Sequence, residues 1–500
     1  GGEEMSFAAN LPLFSVVGCL LASAVSAVLR AKPAAWVTRI LAALVAAASV
    51  PVLLLGLRTG TAVTYTMGHF PAPWGNELRF GILEPLVSGI FALVLLACVV
   101  GGDRELKRDI EPAKQNLYFV MVDLVLAALL ALLYTNDLFT GYVFIEICTI
   151  AACGILMIRQ LGRTTLAAVR YMIFSLIGSG LFMLGIVFLY SLTGHLLMPN
   201  LKIAVAALWA SGESRTPLLT AMCLITLGLC IKSGLFPFHF WMPDTYGYST
   251  PCSAGILSGL VTKGYIFLLI KIIRCVFGVE VFYASGIQSV LYVLGVAGMV
   301  VGSVSAIRVN DVFRMIAFSS AAQIGYIFMG VGLSPELGTA AALFHILTHA
   351  ITKPALFLSA SRLSEASGGR KRFKALQGAA HRNPTAGAAF AVGSLSMIGL
   401  PLTMGFIAKY LFAFAAFREN RLLVPTLLAL AISTVLNTFY FARTLIRVYN
   451  TRGVTPVPPV RLRTQPGYAF AAILLTAENV VCGILAQPLI EMLTKGLSVL

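Results

Sequence analysis

The feature that most constrains this chain is a run length. Stretches of about twenty apolar residues, the length that crosses a bilayer as a helix, recur along its 500 residues with short polar breaks between them. Fourteen stretches read as membrane helices: 11–30, 37–57, 82–101, 116–135, 137–158, 167–191, 216–236, 251–277, 286–306, 312–332, 337–361, 385–417, 422–448 and 467–494. Only 11% of residues are charged, against about 25% in soluble domains. Soluble enzyme classes therefore fall away, and the fold class is an all-α polytopic membrane protein, one membrane domain over 1–500. The opening Gly-Gly-Glu-Glu before Met5 reads as an exposed tail or a cloning scar, and no cleaved signal pattern follows it.

The formal charge of +16 does not point to nucleic acid, because the basic residues sit in short loops between apolar runs. With loops numbered in chain order, the odd ones hold Arg30, Lys32, Arg39, Arg104, Lys107, Arg108, Arg159, Arg370, Lys371 and Arg461 among others. By these boundaries the odd loops carry roughly twenty Lys/Arg and the even loops roughly six, which makes the odd loops cytoplasmic. An even number of spans then leaves both termini outside. The nine cysteines form no CxxC pair, so neither zinc nor an iron–sulfur cluster is signalled. No nucleotide, flavin or quinone motif appears, and no cofactor is expected.

Segments 116–277 and 286–448 each hold five expected helices in similar length. The fourth of the first set is interrupted at Pro237 and the fourth of the second at Gly399-Leu400-Pro401. Paired broken helices in two matching halves point to a transporter built on repeats. Five is odd, so the halves insert with opposite orientation, as two inverted five-helix repeats, with 1–101 and 467–494 peripheral.

A charge at the centre of a membrane helix costs about 2.5–3.5 kcal/mol on insertion scales, so each one needs a reason. Glu146 has Thr149 as its only polar neighbour, and reads either as one half of a packing salt bridge or as a relay carboxylate. Lys232 precedes Pro237, which removes the donor to the Ser233 carbonyl and opens the turn. Backbone opened in a membrane is tolerated only where protein or water satisfies it, so the lysine is placed one turn from a wet pocket; His239, like Asp123 and Arg170, is an auxiliary candidate. Lys263 lies too far from either end of its apolar run to snorkel, whereas Lys271 and Arg274, nearer the end, read as snorkellers. His345 and His349 stand at i, i+4 on one helix face with Lys353 a turn further on and Pro354 perturbing the helix. That spacing suits a metal, but no acidic third ligand is evident, and a proton wire reads better because histidine titrates near neutral pH. Lys409, eight residues beyond Pro401, repeats the theme of a buried lysine near a broken turn. Asp123 is expected to pair with a neighbouring helix, and Arg170 to reach the cytoplasmic surface or assist.

Three segments, KSGLFPFHFWMPDTYGYSTPCSA, DVFRMIAFSSAAQIGYIFMG and LFHILTHAITKPALF, resemble the signature segments of the antiporter-like membrane subunits. These occur in respiratory complex I, the proton-pumping NADH:quinone oxidoreductase, in Mrp multisubunit cation/proton antiporters and in membrane-bound hydrogenase-type complexes. The resemblance covers helices four to thirteen and implies a fourteen-helix core. It also implies roles: Glu146 as the carboxylate of the fifth helix, paired with Lys232 on the broken seventh; Lys263 as the connecting lysine of the eighth; His345, His349 and Lys353 as the polar stripe of the eleventh; Lys409 as the terminal group of the broken twelfth. Three departures stand out. Pro354 follows the lysine of the eleventh helix, Arg170 stands where lysine is commoner, and no long lateral helix follows the fourteenth, which points away from the distal complex I type.

The resemblance implies a proton-translocating subunit, not a redox enzyme by itself. Its partners would be other membrane subunits of a complex I-like, hydrogenase-like or Mrp-like assembly, in a bacterial or archaeal cytoplasmic membrane. The alternative is Na+/H+ exchange in an Mrp-type antiporter, and the reading from a different class is a scaffold that moves no ions.

Overall fold

In hydrocarbon every backbone N–H and C=O must be satisfied within the segment, which leaves the helix as the solution for apolar runs of this length. The computed structural model describes residues 2–72 and 74–500, the first five of them by backbone alone, so the expected exposed tail lies outside the described side chains. Among the described residues thirteen helices are long and apolar enough to cross a membrane, from Phe7–Val28 to Pro466–Ile484. The remaining expected span is the broken one. It forms two half-helices, Pro384–Ile398 and Met404–Glu419, each too short to cross alone. Counting that pair as one crossing gives the fourteen expected segments.

Several elements were not anticipated. Met198–Ser211 is a 14-residue helix where a loop was expected; its buried residues Met198, Leu201 and Val205 form too short a run to resemble a span. Val63–Thr66 pairs antiparallel with Glu77–Phe80, in register Val63 to Phe80. The last expected helix divides at Leu485 into Pro466–Ile484 and Ala486–Val499. In the second piece Leu489, Leu493 and Leu497 are buried on one stripe.

Pro251–Phe277 is buried throughout and Leu337–Glu365 throughout except at its two end residues, whereas only 28% of the Phe7–Val28 window is buried. The two segments carrying most of the intramembrane cations are thus the innermost. Leu337–Glu365 runs unbroken through Pro354, which corrects the expected perturbation. Gly255 and Gly259 on the facing helix explain the fit, because a Cβ on either would press on the proline (3.3 Å and 2.8 Å). The facing backbone widens to a π-turn at Leu257–Val261.

The two breaks share one geometry. The Arg215–Ser233 helix ends on Gly234 at φ 76°, and Leu235 N–H donates to the Cys230 carbonyl at 3.1 Å. Pro384–Ile398 ends on Gly399 at φ 100°, and Leu400 N–H donates to the Leu395 carbonyl at 3.0 Å. A left-handed glycine with that back-donation is the Schellman stop. Gly234, rather than Pro237, therefore ends the first helix, and the proline only prevents its resumption. Further features also correspond. Asp137 and Asp311 cap the helices Leu138–Met157 and Val312–Leu333 with near-identical dihedrals, and they form bridges to Leu197 and Arg372.

The Gly162–Thr193 and Arg215–Ser233 helices touch backbone to backbone at Gly178 and Gly228. A Cβ on Gly228 would lie 2.5 Å from the Gly178 carbonyl oxygen. Gly228→Leu is expected to destabilise the protein by at least about 1–3 kcal/mol through overpacking, read as a lower thermal unfolding midpoint in detergent. An unchanged midpoint would show that the two helices separate freely.

Candidate functional site

Lys232 occupies the last turn before the first break and is 1% exposed. Its Nζ donates to Thr149 Oγ1 (2.6 Å), Ser179 Oγ (2.8 Å) and the Ser175 carbonyl (3.2 Å), and it stands 5.1 Å from the Tyr265 ring centroid. The direct ion pair with Glu146 is not formed: no carboxylate oxygen among the described residues lies within 4 Å of Lys232. Thr149, one turn after Glu146 on the same helix, takes the ammonium instead. Glu146 is half-buried, and its Oε1 is enclosed without a hydrogen-bond partner. Val143 and Ile150 beside it are exposed, so the carboxylate sits at the outer face of the bundle.

Lys263 and Lys353 are fully buried. Lys263 Nζ donates to the Ser258 carbonyl (2.6 Å) and Thr262 Oγ1 (3.2 Å), using the carbonyl at the π-turn. Lys353 Nζ donates to Ser319 Oγ (2.6 Å). The two lysine sites are linked through Ser320, whose hydroxyl shares a hydrogen bond of 2.9 Å with that of Ser258 and lies 3.0 Å from the Ile316 carbonyl, which also accepts from Lys353 at 3.4 Å. His349 lies between them in sequence with both ring nitrogens buried and unpartnered. Its ring is 6.4 Å from that of His345, whose Nε2 meets Gln323 Oε1 at 2.7 Å. His345 lies 5.4 Å from the Tyr326 ring, and Lys409 Nζ is 5.8 Å from the same ring.

Lys409 follows its break, whereas Lys232 precedes its own. Lys409 Nζ donates to the Ile398 carbonyl (2.7 Å) and Thr434 Oγ1 (2.9 Å). The ammonium thus satisfies a carbonyl that the helix stop leaves free. Gly399 gives it room, since a Cβ there would lie 3.0 Å from the lysine Cδ.

The arrangement is a row of amines and one imidazole, His345, tied to hydroxyls, an amide and backbone carbonyls instead of carboxylates, with the His349 ring unpartnered among them. Hydroxyls donate and accept, so they accommodate an amine with or without its extra proton. Among the described residues no cluster of three His, Cys, Asp or Glu could hold a metal ion.

Residues 135–436 match the family described as "NADH:quinone oxidoreductase/Mrp antiporter, TM". The chain belongs to this family. It is 33% identical over 445 residues to NADH-quinone oxidoreductase subunit N of Desulforudis audaxviator, covering 85% of each chain. It is also 27% identical over 428 residues to a Na(+)/H(+) antiporter subunit of Alkalihalophilus pseudofirmus, covering 85% of this chain and 83% of the relative. A chain of the Mrp complex from Dietzia sp. DQ12-45-1b superposes with a TM-score of 0.86, and one of the membrane-bound sulfane sulfur reductase with 0.87. Both are 23% identical and matched over 98% of this chain and 97% of theirs, so they bear on the fold. This is an integral, multi-pass antiporter-like subunit.

In this antiporter-like chain the three auxiliary candidates separate. Asp123 is fully buried but accepts from Thr38 Oγ1 (2.7 Å) and Ser26 Oγ (3.2 Å) on the two N-terminal helices, away from the row. Arg170 is half exposed and pairs with Asp244 at 2.7 Å; Arg314 holds the other oxygen of Asp244 at 2.9 Å. His239 lies in the first break, 2% exposed, stacked on Phe240 with its Nδ1 unpartnered.

The snorkelling reading of Lys271 is wrong. Its side chain is wholly buried, donates to the Leu133 carbonyl (2.6 Å) and pairs with buried Glu84 at 3.6 Å. Arg274 is only 8% exposed and donates to Glu336, Pro335 and Leu497. Sequence reading also missed Glu105 with Arg362, a buried pair at 3.1 Å, and Glu478, whose carboxylate oxygens are both enclosed without partners. Burial pushes the Glu105 carboxyl up, against the pull of Arg362. The signal that was available lay in SSAAQIGY: Ser319, Gln323 and Tyr326 fall at i, i+4 and i+7, one helix face, and line the lysine–histidine row.

Proposed function

We propose that this chain is the proton-translocating subunit of a multisubunit membrane complex, carrying protons through the bundle along Lys232, Lys263, Lys353, the His345–His349 pair and Lys409. The observation that carries the reading is the row itself. Intramembrane ionisable residues are functional sites by default; in this row all but half-buried Lys409 are buried, hydroxyl and ring contacts run from Lys263 to Lys409, and two helix stops of the same geometry flank it. Glu146, close to Lys232 but not bonded to it, biases whether the lysine keeps its proton; a rearrangement in a neighbouring protein of the complex at the exposed face around Glu146 would change that bias.

The same reading takes 116–277 and 286–448 as inverted repeats. Support comes from the matched pairs Gly234 and Gly399, Asp137 and Asp311, and the two bridges that follow. It also takes both termini to the outside of a cytoplasmic membrane. Support comes from the basic loops meeting at one end, through Arg39–Asp103, Arg104–Glu365 and Arg159–Asp109. A second reading, Na+/H+ exchange, is favoured by the likeness to the Na(+)/H(+) antiporter relative.

The test is transport by inside-out vesicles containing the intact assembly, in sodium-free and sodium-containing buffer. Proton movement that persists at the same rate without sodium is expected. A strict sodium requirement would select the exchange reading, and no proton movement in either buffer would leave the scaffold.

A further inference from the structure

Outside the row, the chain builds a second charged site on the end where the basic loops meet. A cavity of about 380 Å³ lies between the Ala31–Thr59 helix, the short Asp103–Asp109 helix and the start of Gln115–Tyr134. Lys32, Arg39 and Lys107 border it. Asp103 alone offsets them, paired with Arg39 at 2.9 Å and Lys107 at 2.7 Å, so three positive charges against one negative leave a surplus of two. Arg39 keeps an unused donor, because its Nε–H is buried without a partner. No side chain caps the first turn of Ala31–Thr59, which adds the positive end of a long helix to the same wall.

Apart from Gln115, the rest of the lining is aliphatic or aromatic. Leu106, Ile110, Tyr118 and Phe119 are buried behind the charges. Trp36 sits at the mouth, 53% exposed, with the Arg39 guanidinium 5.1 Å from its ring. From Trp36 an exposed apolar stripe continues at i+4 and i+8 through Ile40 (55%) and Leu44 (62%). A charged cup at the membrane boundary, opening onto an apolar track that runs down the same helix, has the shape of a phospholipid site. Basic pockets between membrane helices select anionic headgroups, and tryptophan favours headgroup depth.

We propose that this cavity holds the headgroup of an anionic phospholipid, its phosphate against Lys32, Lys107 and the Arg39 guanidinium and an acyl chain along Trp36, Ile40 and Leu44. A free phosphate shares the headgroup chemistry but has no use for the stripe.

The experiment is native mass spectrometry of the purified protein after exchange into mixed phosphatidylglycerol and phosphatidylcholine. The variants are Lys32→Gln/Lys107→Gln and, as a control basic residue elsewhere, Lys202→Gln. Lys32 is exposed and Lys107 is 64% exposed, so the double variant keeps its fold, checked by its thermal midpoint. The expected result is retention of phosphatidylglycerol over phosphatidylcholine by wild type and by Lys202→Gln. The double variant should hold it about thirty-fold more weakly, and added inorganic phosphate should leave the bound lipid in place. Equal retention by wild type and the double variant, or no preference for the anionic lipid, overturns the proposal. Displacement by inorganic phosphate alone assigns the cup to the free anion and overturns the lipid.

Discussion

Lys232→Ala is expected to reduce proton movement by the assembled protein by at least about 10²-fold, the scale on which a positioned proton donor contributes, with the fold retained. The groups that the Lys232 ammonium bonds directly are all neutral: Thr149, Ser179 and the Ser175 carbonyl. Thr149 already donates its hydroxyl to the Ile145 carbonyl at 2.9 Å, so removing the lysine leaves neutral groups and no buried unpaired charge. Lys232→Arg sharpens the test. Arginine keeps the positive charge but does not give up its proton, so it too should block transport if the lysine titrates during the cycle. If the lysine only holds charge, the arginine variant should work. Both variants are to be assayed for proton movement in vesicles, with assembly followed by size-exclusion chromatography. Normal transport by a stably assembled Lys232→Ala protein sinks the relay.

The largest expected effect on stability lies elsewhere, at Glu84 and Lys271. Removing one member of a buried pair leaves an uncompensated charge and costs about 3–5 kcal/mol, whereas replacing both with apolar groups is often neutral. Glu84 Oε2 also accepts from Gly81 N–H at 2.8 Å, and Lys271 reaches the Leu133 carbonyl, so the pair ties three segments together near one end of Pro251–Phe277. Glu84→Leu or Lys271→Met alone should therefore lower the thermal midpoint clearly, and the double variant should recover most of the loss. Thermal unfolding in detergent reads all three. Single variants that unfold with the wild type would show that the pair carries no such weight.

These two sites mark how far sequence alone reaches. Lys232 stood out because a charge in the middle of a twenty-residue apolar run has no local explanation. Lys271 did not, because it lies near a helix end, where snorkelling is the ordinary outcome. Its burial arises from Glu84, nearly two hundred positions away, and from the packing of other segments over that helix end. The breaks divide in the same manner. Pro237 and Pro401 flagged them, yet the stops are made by Gly234 and Gly399, whose left-handed backbone is visible only in the fold. Glu146 and Lys232 were assigned to each other by resemblance; the fold inserts Thr149 between them. Hydroxyls such as Ser258 and Ser320 carried no signal, since single serines in membrane helices are common and become meaningful only when they meet across an interface.

Sequence by itself determined the class of structure, the number and order of the spans, and which charges needed a reason, because run length and the cost of a buried charge are properties of local composition. Tertiary structure decided which charges share a neighbourhood, what each ammonium donates to, and where a proline is absorbed without a break. Those depend on which helix faces meet, and that is settled by close approaches such as Gly178 against Gly228 rather than by the hydropathy of either strip.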